Sequence, residues 1–376
     1  MSDKQITPIV MPKWGLEMRE GTVQDWLVKE GDRIAVGQAI VEVETDKISN
    51  AVEAADAGLL RRIVGQSGEL LPVKSLLAVL AEEDVSDADI DAYIAAFEVP
   101  DAGADDEDSG PAFENAEVDG IRIRYARRGP EQGVPVLFIH GFGGDLNNWL
   151  FNLDAVAERH PVLALDLPGH GSSDAKLPGA SLPALAGFVA RFLDAAGVQG
   201  PVHLVGHSMG GAIALQLALD APARVASVAL VSPAGLGEAI NTGYTDGFVQ
   251  AQSRRDLKPV LEQLFADPAL VSRQMVDDML KYKRLDGIEP LLAELGAALF
   301  ADGRQSTVLA EGLQALDKPL LVFWGEDDQV IPAAQAANAG PRAEVIRFPG
   351  TGHMAMLEKA SEVNAALLKH LARAAG

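Results

Sequence analysis

The chain has 376 residues, enough for two or three domains at roughly 100–200 residues each, and its 48% apolar content is a globular proportion that excludes wholesale disorder. It contains no cysteine, which removes disulfides, thiolate metal sites, iron–sulfur clusters and a cysteine nucleophile together. A net charge of −23 repels nucleic acid, and no apolar run approaches the ~18 residues of a membrane span; the expectation is a cytoplasmic protein that engages neither nucleic acid nor membrane.

The charge is concentrated. Residues 1–80 hold 9 basic and 12 acidic side chains, residues 81–119 hold none and 15, and residues 120–376 hold 22 and 27. The middle stretch contains Asp101-Ala-Gly-Ala-Asp-Asp-Glu-Asp-Ser-Gly-Pro111, a composition too poor in apolar surface to order itself, and it reads as a linker. The predicted organisation is a small module over 1–82, an acidic linker over 83–113, and a large module over 114–376.

The small module reads as all-β, a flattened barrel or sandwich. Segments such as Gly21–Val28 and Ala39–Val43 alternate apolar with polar, and Gly15, Gly31, Gly37, Gly58 and Gly68 punctuate them. Ser86, three residues before Asp89 and followed by Ile90, Tyr93, Ile94 and Phe97, predicts one short helix. Residues 98–113 as a flexible coil would span roughly 22 Å.

The large module alternates strand-like and helix-like blocks, predicting an α/β fold with a mainly parallel sheet covered on both faces. Apolar runs at Val136–Ile139, Val162–Leu165, Val202–Val205, Val228–Val231, Leu320–Phe323 and Val345–Phe348 fit buried strands. Residues 237–305 interrupt the rhythm with helical patterns such as Val271–Leu280 and read as a helical cap over the C-terminal edge of the sheet.

The sharpest chemical signal is Gly206-His-Ser-Met-Gly210, between an apolar strand and the helix-forming run Ala212–Ala218. The bare string also arises in loops, but a serine on a tight strand-to-helix turn has its hydroxyl exposed by a strained backbone, and the glycines remove clashing Cβ atoms. Ser208 is the candidate nucleophile. Serine needs an adjacent base and a group to orient it; His353 and Asp328 lie in segments that follow later strands, where open α/β sheets collect their sites. Asp327 rivals Asp328, since spacing does not separate adjacent carboxylates. The backbones of Phe142, in His140-Gly-Phe-Gly-Gly144, and of Met209 are the candidate oxyanion donors. The other histidines read as structural. No metal-ligand cluster, phosphate-binding loop or dinucleotide fingerprint is legible. Arg254, Arg255, Lys281, Lys283 and Arg284 offer cations near the cap, most of which read as solvated.

In the small module, Lys47 sits in Glu42-Val-Glu-Thr-Asp-Lys-Ile-Ser-Asn50, at a hairpin tip between two β segments. Taken alone it is an exposed lysine among acids. Val43–Ser49, with Met11-Pro-Lys-Trp-Gly15 ahead of it, resembles a lipoyl domain over some 80 residues, and the resemblance implies lipoate on Lys47; a biotin carrier typically flanks its lysine with methionines. Residues 120–376 resemble the α/β-hydrolase fold. The order of the two, with stretches such as His140–Phe151 and Phe265–Val271, is similar to the acetyltransferase components of acetoin-cleaving (acetoin dehydrogenase) complexes. That resemblance implies transfer of an acetyl group from a thiamine-diphosphate-dependent acetoin-cleaving enzyme to coenzyme A. It also implies reoxidation by dihydrolipoamide dehydrogenase and modification by a lipoylating enzyme. The His-x-x-x-Asp-Gly motif and the subunit-binding domain of ordinary 2-oxoacid dehydrogenase acyltransferases are absent from this sequence. The competing expectations are a carrier-tethered thioesterase or esterase, and a lipoyl carrier whose second domain is only a docking scaffold.

Overall fold

A computed structural model describes residues 6–14, 18–45, 49–99, 113–313 and 315–374. The backbone divides into two compact units, residues 1–110 and 111–376.

The first unit contains β1 (Ile6–Val10), β2 (Glu20–Trp26), β3 (Arg33–Ile34), β4 (Ala39–Glu44), β5 (Ser49–Glu53), β6 (Gly58–Ile63), β7 (Leu70–Pro72) and β8 (Leu76–Ala81). Among the described residues they form two antiparallel sheets, ordered β1-β8-β6-β3 and β5-β4-β2-β7. In β4, Ile40, Val41 and Val43 are buried while Glu42 and Glu44 face out. Met11, Val23, Leu60 and Leu77 join them in a core with no exposure at all. Helix α1 (Asp87–Ala96) follows. Ser86 caps it: its Oγ accepts from the Asp89 N–H at 3.2 Å and donates to the Asp89 carboxylate at 2.6 Å, while Ile90 is fully buried beside Val79 and Val85. Strands β4 and β5 pair up to Glu44 opposite Ser49, so four residues connect them. Lys47, with Asp46 and Ile48, lies outside the described residues, as do residues 100–112 of the acidic stretch.

The second unit begins with β9 (Glu114–Val118), β10 (Ile121–Arg128), β11 (Val136–Ile139), α2 (Leu153–Ala157), β12 (Val162–Leu165), α3 (Leu182–Ala195), β13 (Val202–His207), α4 (Met209–Asp220) and β14 (Val225–Val231). After the insertion formed by α5 (Thr242–Gln250), α6 (Arg254–Leu261), α7 (Arg273–Lys283) and α8 (Ile288–Leu299), it closes with α9 (Ala310–Leu313), β15 (Leu320–Gly325), β16 (Ala343–Phe348), α10 (Ala355–Glu358) and α11 (Ala360–Ala374). The sheet order is β16-β15-β14-β13-β11-β12-β10-β9. Strands β11 to β16 run parallel, and β9 and β10 add an antiparallel edge. Strands covered on both faces lose their alternation, which is why Val136–Ile139 and Val162–Leu165 are apolar throughout and wholly buried. The edge pair was not among the strands expected from sequence. It alternates instead, with Ile121, Ile123 and Tyr125 buried between the outward or half-buried Arg122 and Arg124.

The insertion lies against loops at the C-terminal ends of the parallel strands. Phe248 of α5 covers Gly143, after β11, where a Cβ would come within 2.5 Å of the ring; Leu291 of α8 covers Gly169, after β12, at 2.4 Å. The helix expected from Val271 starts two residues later, because the Ser272 hydroxyl accepts from the Met275 N–H at 3.0 Å and caps it.

Candidate active site

Ser208 stands between the last residue of β13 and the first of α4, with φ 53° and ψ −118°. A non-glycine residue in this region stores ~1–3 kcal/mol of strain, held here by the Ser208 N–H donating to Val231 O at 3.0 Å and by Gly211 and Ala234 N–H groups donating to Ser208 O at 2.9 and 3.0 Å. The glycines on either side are steric necessities. A Cβ on Gly206 would lie 2.4 Å from Gly210 O, and one on Gly210 would lie 2.3 Å from Ile139 O. The hydroxyl makes no helix-capping bond.

Asp328 and His353 come together from the loops after β15 and β16. His353 Nδ1–H donates to Asp328 Oδ2 at 2.8 Å, and the two side chains are 1% and 0% exposed. The carboxylate is held on its other sides: Val330 and Ile331 N–H groups donate to Oδ1 at 2.8 and 2.9 Å, and Trp324 Nε1–H donates to Oδ2 at 3.0 Å. Because the carboxylate accepts from Nδ1–H, the neutral tautomer of the imidazole carries its lone pair on Nε2. That atom is buried and has no hydrogen-bond partner among the described residues. Asp327, the rival acid, is exposed, and its N–H donates to Thr351 O at 2.9 Å.

His207, within the elbow, packs its ring 4.7 Å from that of His353 and donates Nε2–H to the His353 carbonyl at 3.1 Å. Burial, reinforced by the neighbouring imidazole, holds its pKa well below the usual histidine range. Gly141 leaves room for this arrangement, since a Cβ there would sit 2.8 Å from His207 Nδ1 and 3.1 Å from Ser208 Cβ.

The same contact brings the loop after β11 beside the serine. The Phe142 and Met209 N–H groups donate to no partner among the described residues; Met209 opens α4, so its amide lies at the positive end of a 12-residue helix. The loop is braced from below by His140, which is fully buried. Its Nδ1–H donates to Gly141 O at 2.8 Å and its Nε2 accepts from Leu167 N–H at 2.9 Å, and burial lowers its pKa to about 4, so the ring is neutral. From above, Tyr244 and Phe248 of α5 meet Phe142, the former through its hydroxyl to the Phe142 carbonyl at 3.5 Å.

Several residues of this site escape sequence reasoning. Lys283, one of the cations suggested near the cap, is buried: its Nζ donates to the Phe248, Val249 and Ala251 carbonyls, where it closes the C-terminus of α5, and burial lowers its pKa. Arg254 pairs with Asp277 and Lys281 with Asp278, and Arg284 donates to Gln252 O; Arg255 is exposed. The Glu358 carboxylate accepts from Gly352 N–H and Ala266 N–H, each at 2.9 Å. Its signal in the sequence is an acid directly after the apolar run Met354–Leu357.

Comparisons with known proteins give the families of both units. A family model described as alpha/beta hydrolase fold matches residues 134–360, and one described as biotin-requiring enzyme, biotin/lipoyl, matches residues 7–80. A dihydrolipoyllysine-residue acetyltransferase component of the acetoin cleaving system from Cupriavidus necator is 61% identical over 97% of this chain and 97% of its own length. The chain belongs to the family of acetoin-cleaving-system acetyltransferase components. The Pseudomonas putida member is 49% identical over 98% of this chain and 99% of its own. A solved meta-cleavage product hydrolase from Pseudomonas fluorescens, 23% identical with a TM-score of 0.63, covers 69% of this chain and 98% of its own, which shows the fold of the second unit. In this acetyltransferase family member, the described residues include no group of His, Asp and Glu suited to a metal ion and no helix long and apolar enough to cross a membrane.

Proposed function

We propose that the protein moves an acetyl group from the S-acetyl-dihydrolipoyl form of Lys47 to coenzyme A, through an acyl-enzyme on Ser208. The relatives named above, matched along nearly their full length, support the reaction. The unpartnered, buried Nε2 of His353, whose other ring nitrogen is bound to Asp328, is the observation that carries the mechanism.

The lipoyl arm fits the first unit. The β4–β5 register leaves only four residues between antiparallel strands, and one of them is the lysine whose amine forms the amide. When attached, the group supplies a reactive thioester that can travel. The residues of the second unit do the rest. Ser208 gives its proton to His353 Nε2 and its Oγ attacks the acetyl carbonyl, while the Phe142 and Met209 N–H groups receive the oxyanion. His353 returns that proton to the departing sulfur, leaving acetyl-Ser208 and a free dithiol. The coenzyme A thiol then gives its proton to the same nitrogen and its sulfur attacks the acetyl-serine; the proton ends on Ser208 and acetyl-coenzyme A departs. Asp328 keeps the ring in the required tautomer throughout. The cap over residues 237–305 excludes water from the acyl-enzyme, so transfer outruns hydrolysis.

The reading places the protein in the cytoplasm. Its partners are a thiamine-diphosphate-dependent acetoin-cleaving enzyme that loads the arm, a dihydrolipoamide dehydrogenase that reoxidises it, and a lipoylating enzyme. The test is acetyl-coenzyme A formation from acetylated, lipoylated protein. Ser208→Ala should abolish it, and unchanged formation would refute the serine mechanism. Acetate in place of acetyl-coenzyme A would identify a thioesterase, and a second unit that never reacts with a fluorophosphonate would identify a scaffold.

A further inference from the structure

His353 is not carried by its own loop alone. Its N–H donates to Leu264 O at 2.9 Å and that of Met354 to the same oxygen at 3.2 Å, so a segment from the cap end of the insertion supports the histidine backbone. The two segments lie in direct backbone contact: a Cβ on Gly352 would lie 2.7 Å from Ala266 N, 2.7 Å from the Phe265 carbonyl carbon and 2.8 Å from Leu264 O. Across this seam one carboxylate bonds to both sides, Glu358 Oε1 accepting from Gly352 N–H and Oε2 from Ala266 N–H, both at 2.9 Å. The mechanism above assigns Glu358 no step, yet it is a half-buried acid on α10, held close to the histidine and to the cap at once.

We propose that Glu358 is a positioning residue that clamps the cap segment Leu264–Ala266 to the loop of His353, so that the base is in place only when the cap is. The inference rests on the reading of His353 as the base. A carboxylate bridging two N–H donors from different elements fixes both distances together, and each charge-assisted bond resists displacement more than a neutral one does. With the clamp intact, displacement of residues 264–266 pulls on the His353 backbone and hence on the direction of Nε2. Substrate binding beneath the cap would thereby be coupled to the competence of the base. Glu358→Gln keeps one acceptor and turns an N–H₂ donor toward the remaining N–H, which breaks one side of the clamp at nearly constant volume.

The test uses the full-length protein and two readouts that a purely structural role leaves unmoved: the rate at which a small fluorophosphonate labels Ser208, and the low-field NMR resonance of the His353 Nδ1–H bonded to Asp328. Glu358→Gln should slow labelling about 10- to 100-fold, the effect of one or two charge-assisted hydrogen bonds, and should broaden or displace the resonance. Ala266→Pro removes the cap-side N–H while leaving Glu358 and every residue of the histidine loop unsubstituted, and it should reproduce part of both effects. If Glu358→Gln fails to fold, Ala266→Pro decides by the same readouts. Labelling at the wild-type rate with an unmoved resonance in Glu358→Gln overturns the clamp, as does an Ala266→Pro protein indistinguishable from wild type. A wild-type protein that is not labelled at Ser208 overturns the serine reading instead, and the resonance then still tests the clamp.

Discussion

The two units solve opposite problems with opposite architectures. In the proposed reaction the first carries the acetyl group on Lys47, one of the four residues between β4 and β5, and its core includes the fully buried Met11, Ile40, Val43 and Leu60. The second holds its proposed reactive groups in place. Ser208, His353 and Asp328 come from three loops after different strands, are buried, and are fixed by strain and backbone bonds. A group that must be reached by other proteins needs a short local motif and little else. A group that must abstract a proton needs distant segments brought together, and buried polar atoms there are costly to leave without partners. The histidines follow this division: the first unit contains none, and all seven lie in the second.

The comparison breaks most sharply at the two proposed attachment points of the acetyl group. Ser208→Ala should lower acetyl-coenzyme A formation by about 10³-fold or more, the scale on which triad residues act, while leaving lipoylation of Lys47 unchanged by mass spectrometry. Lys47→Arg should abolish transfer from the protein's own arm, yet leave fluorophosphonate labelling of Ser208 at the wild-type rate.

Asp328→Asn should lower turnover by about 10²- to 10⁴-fold through the wrong imidazole tautomer, and Asp327→Asn should leave it within about twofold, since surface changes are usually small. Equal effects from both would contradict the assignment of the acid.

Stability should divide along the same line. Gly210→Ala puts a methyl carbon 2.3 Å from Ile139 O, and calorimetry should show the transition of the second unit lowered or lost and that of the first unchanged. Acid should act the same way, more gently. Burial lowers His140 and His203 each to about 4, and His370 likewise, against about 6.5 in the unfolded chain. Between those values the unfolded state binds more protons, so the stability these groups permit near neutral pH is lost as pH falls from about 6.5 toward 4, by roughly 3 kcal/mol for the fully buried His140. The transition of the second unit should therefore fall over that window while the first, with no histidine, lacks this contribution. Equal sensitivity of both transitions would contradict the account.

What the sequence displayed and what it hid follow from distance along the chain. Five of the six parallel strands were legible because strands buried on both faces are mostly apolar runs; the sixth, β16, is an edge strand with no buried residue, so Val345–Phe348 forms the expected strand but not a buried one. The elbow was legible because Gly206, Ser208 and Gly210 are neighbours whose spacing encodes the turn. Strands β9 and β10 were not recognised: β10 alternates Arg with Ile, β9 is Glu-Asn-Ala-Glu-Val, and the pair follows an acidic stretch. Two- and three-residue strands such as β3 and β7 carry too short a pattern to register. In the site, the Phe142 loop, His353 and the adjacent pair of acids were visible as motifs. The choice between those acids was not, because it depends on which carboxylate the folded loop turns inward to Trp324 and His353. Lys283 and Glu358 were hidden for the same reason. Their partners lie 32 to 35 and 92 or 6 residues away; nothing local marks a lysine destined for three carbonyls, and the one local trace of the glutamate, an acid closing the apolar run Met354–Leu357, does not name its two amides.

The most direct measurement is rapid-quench mass spectrometry of the second unit's peptides after loading the arm of the full-length protein with acetyl groups. Without coenzyme A, one acetyl group should appear on Ser208 and nowhere else in that unit, and adding coenzyme A should remove it at least as fast as acetyl-coenzyme A forms. Acetyl-coenzyme A produced at full rate with Ser208 never acetylated would contradict the account.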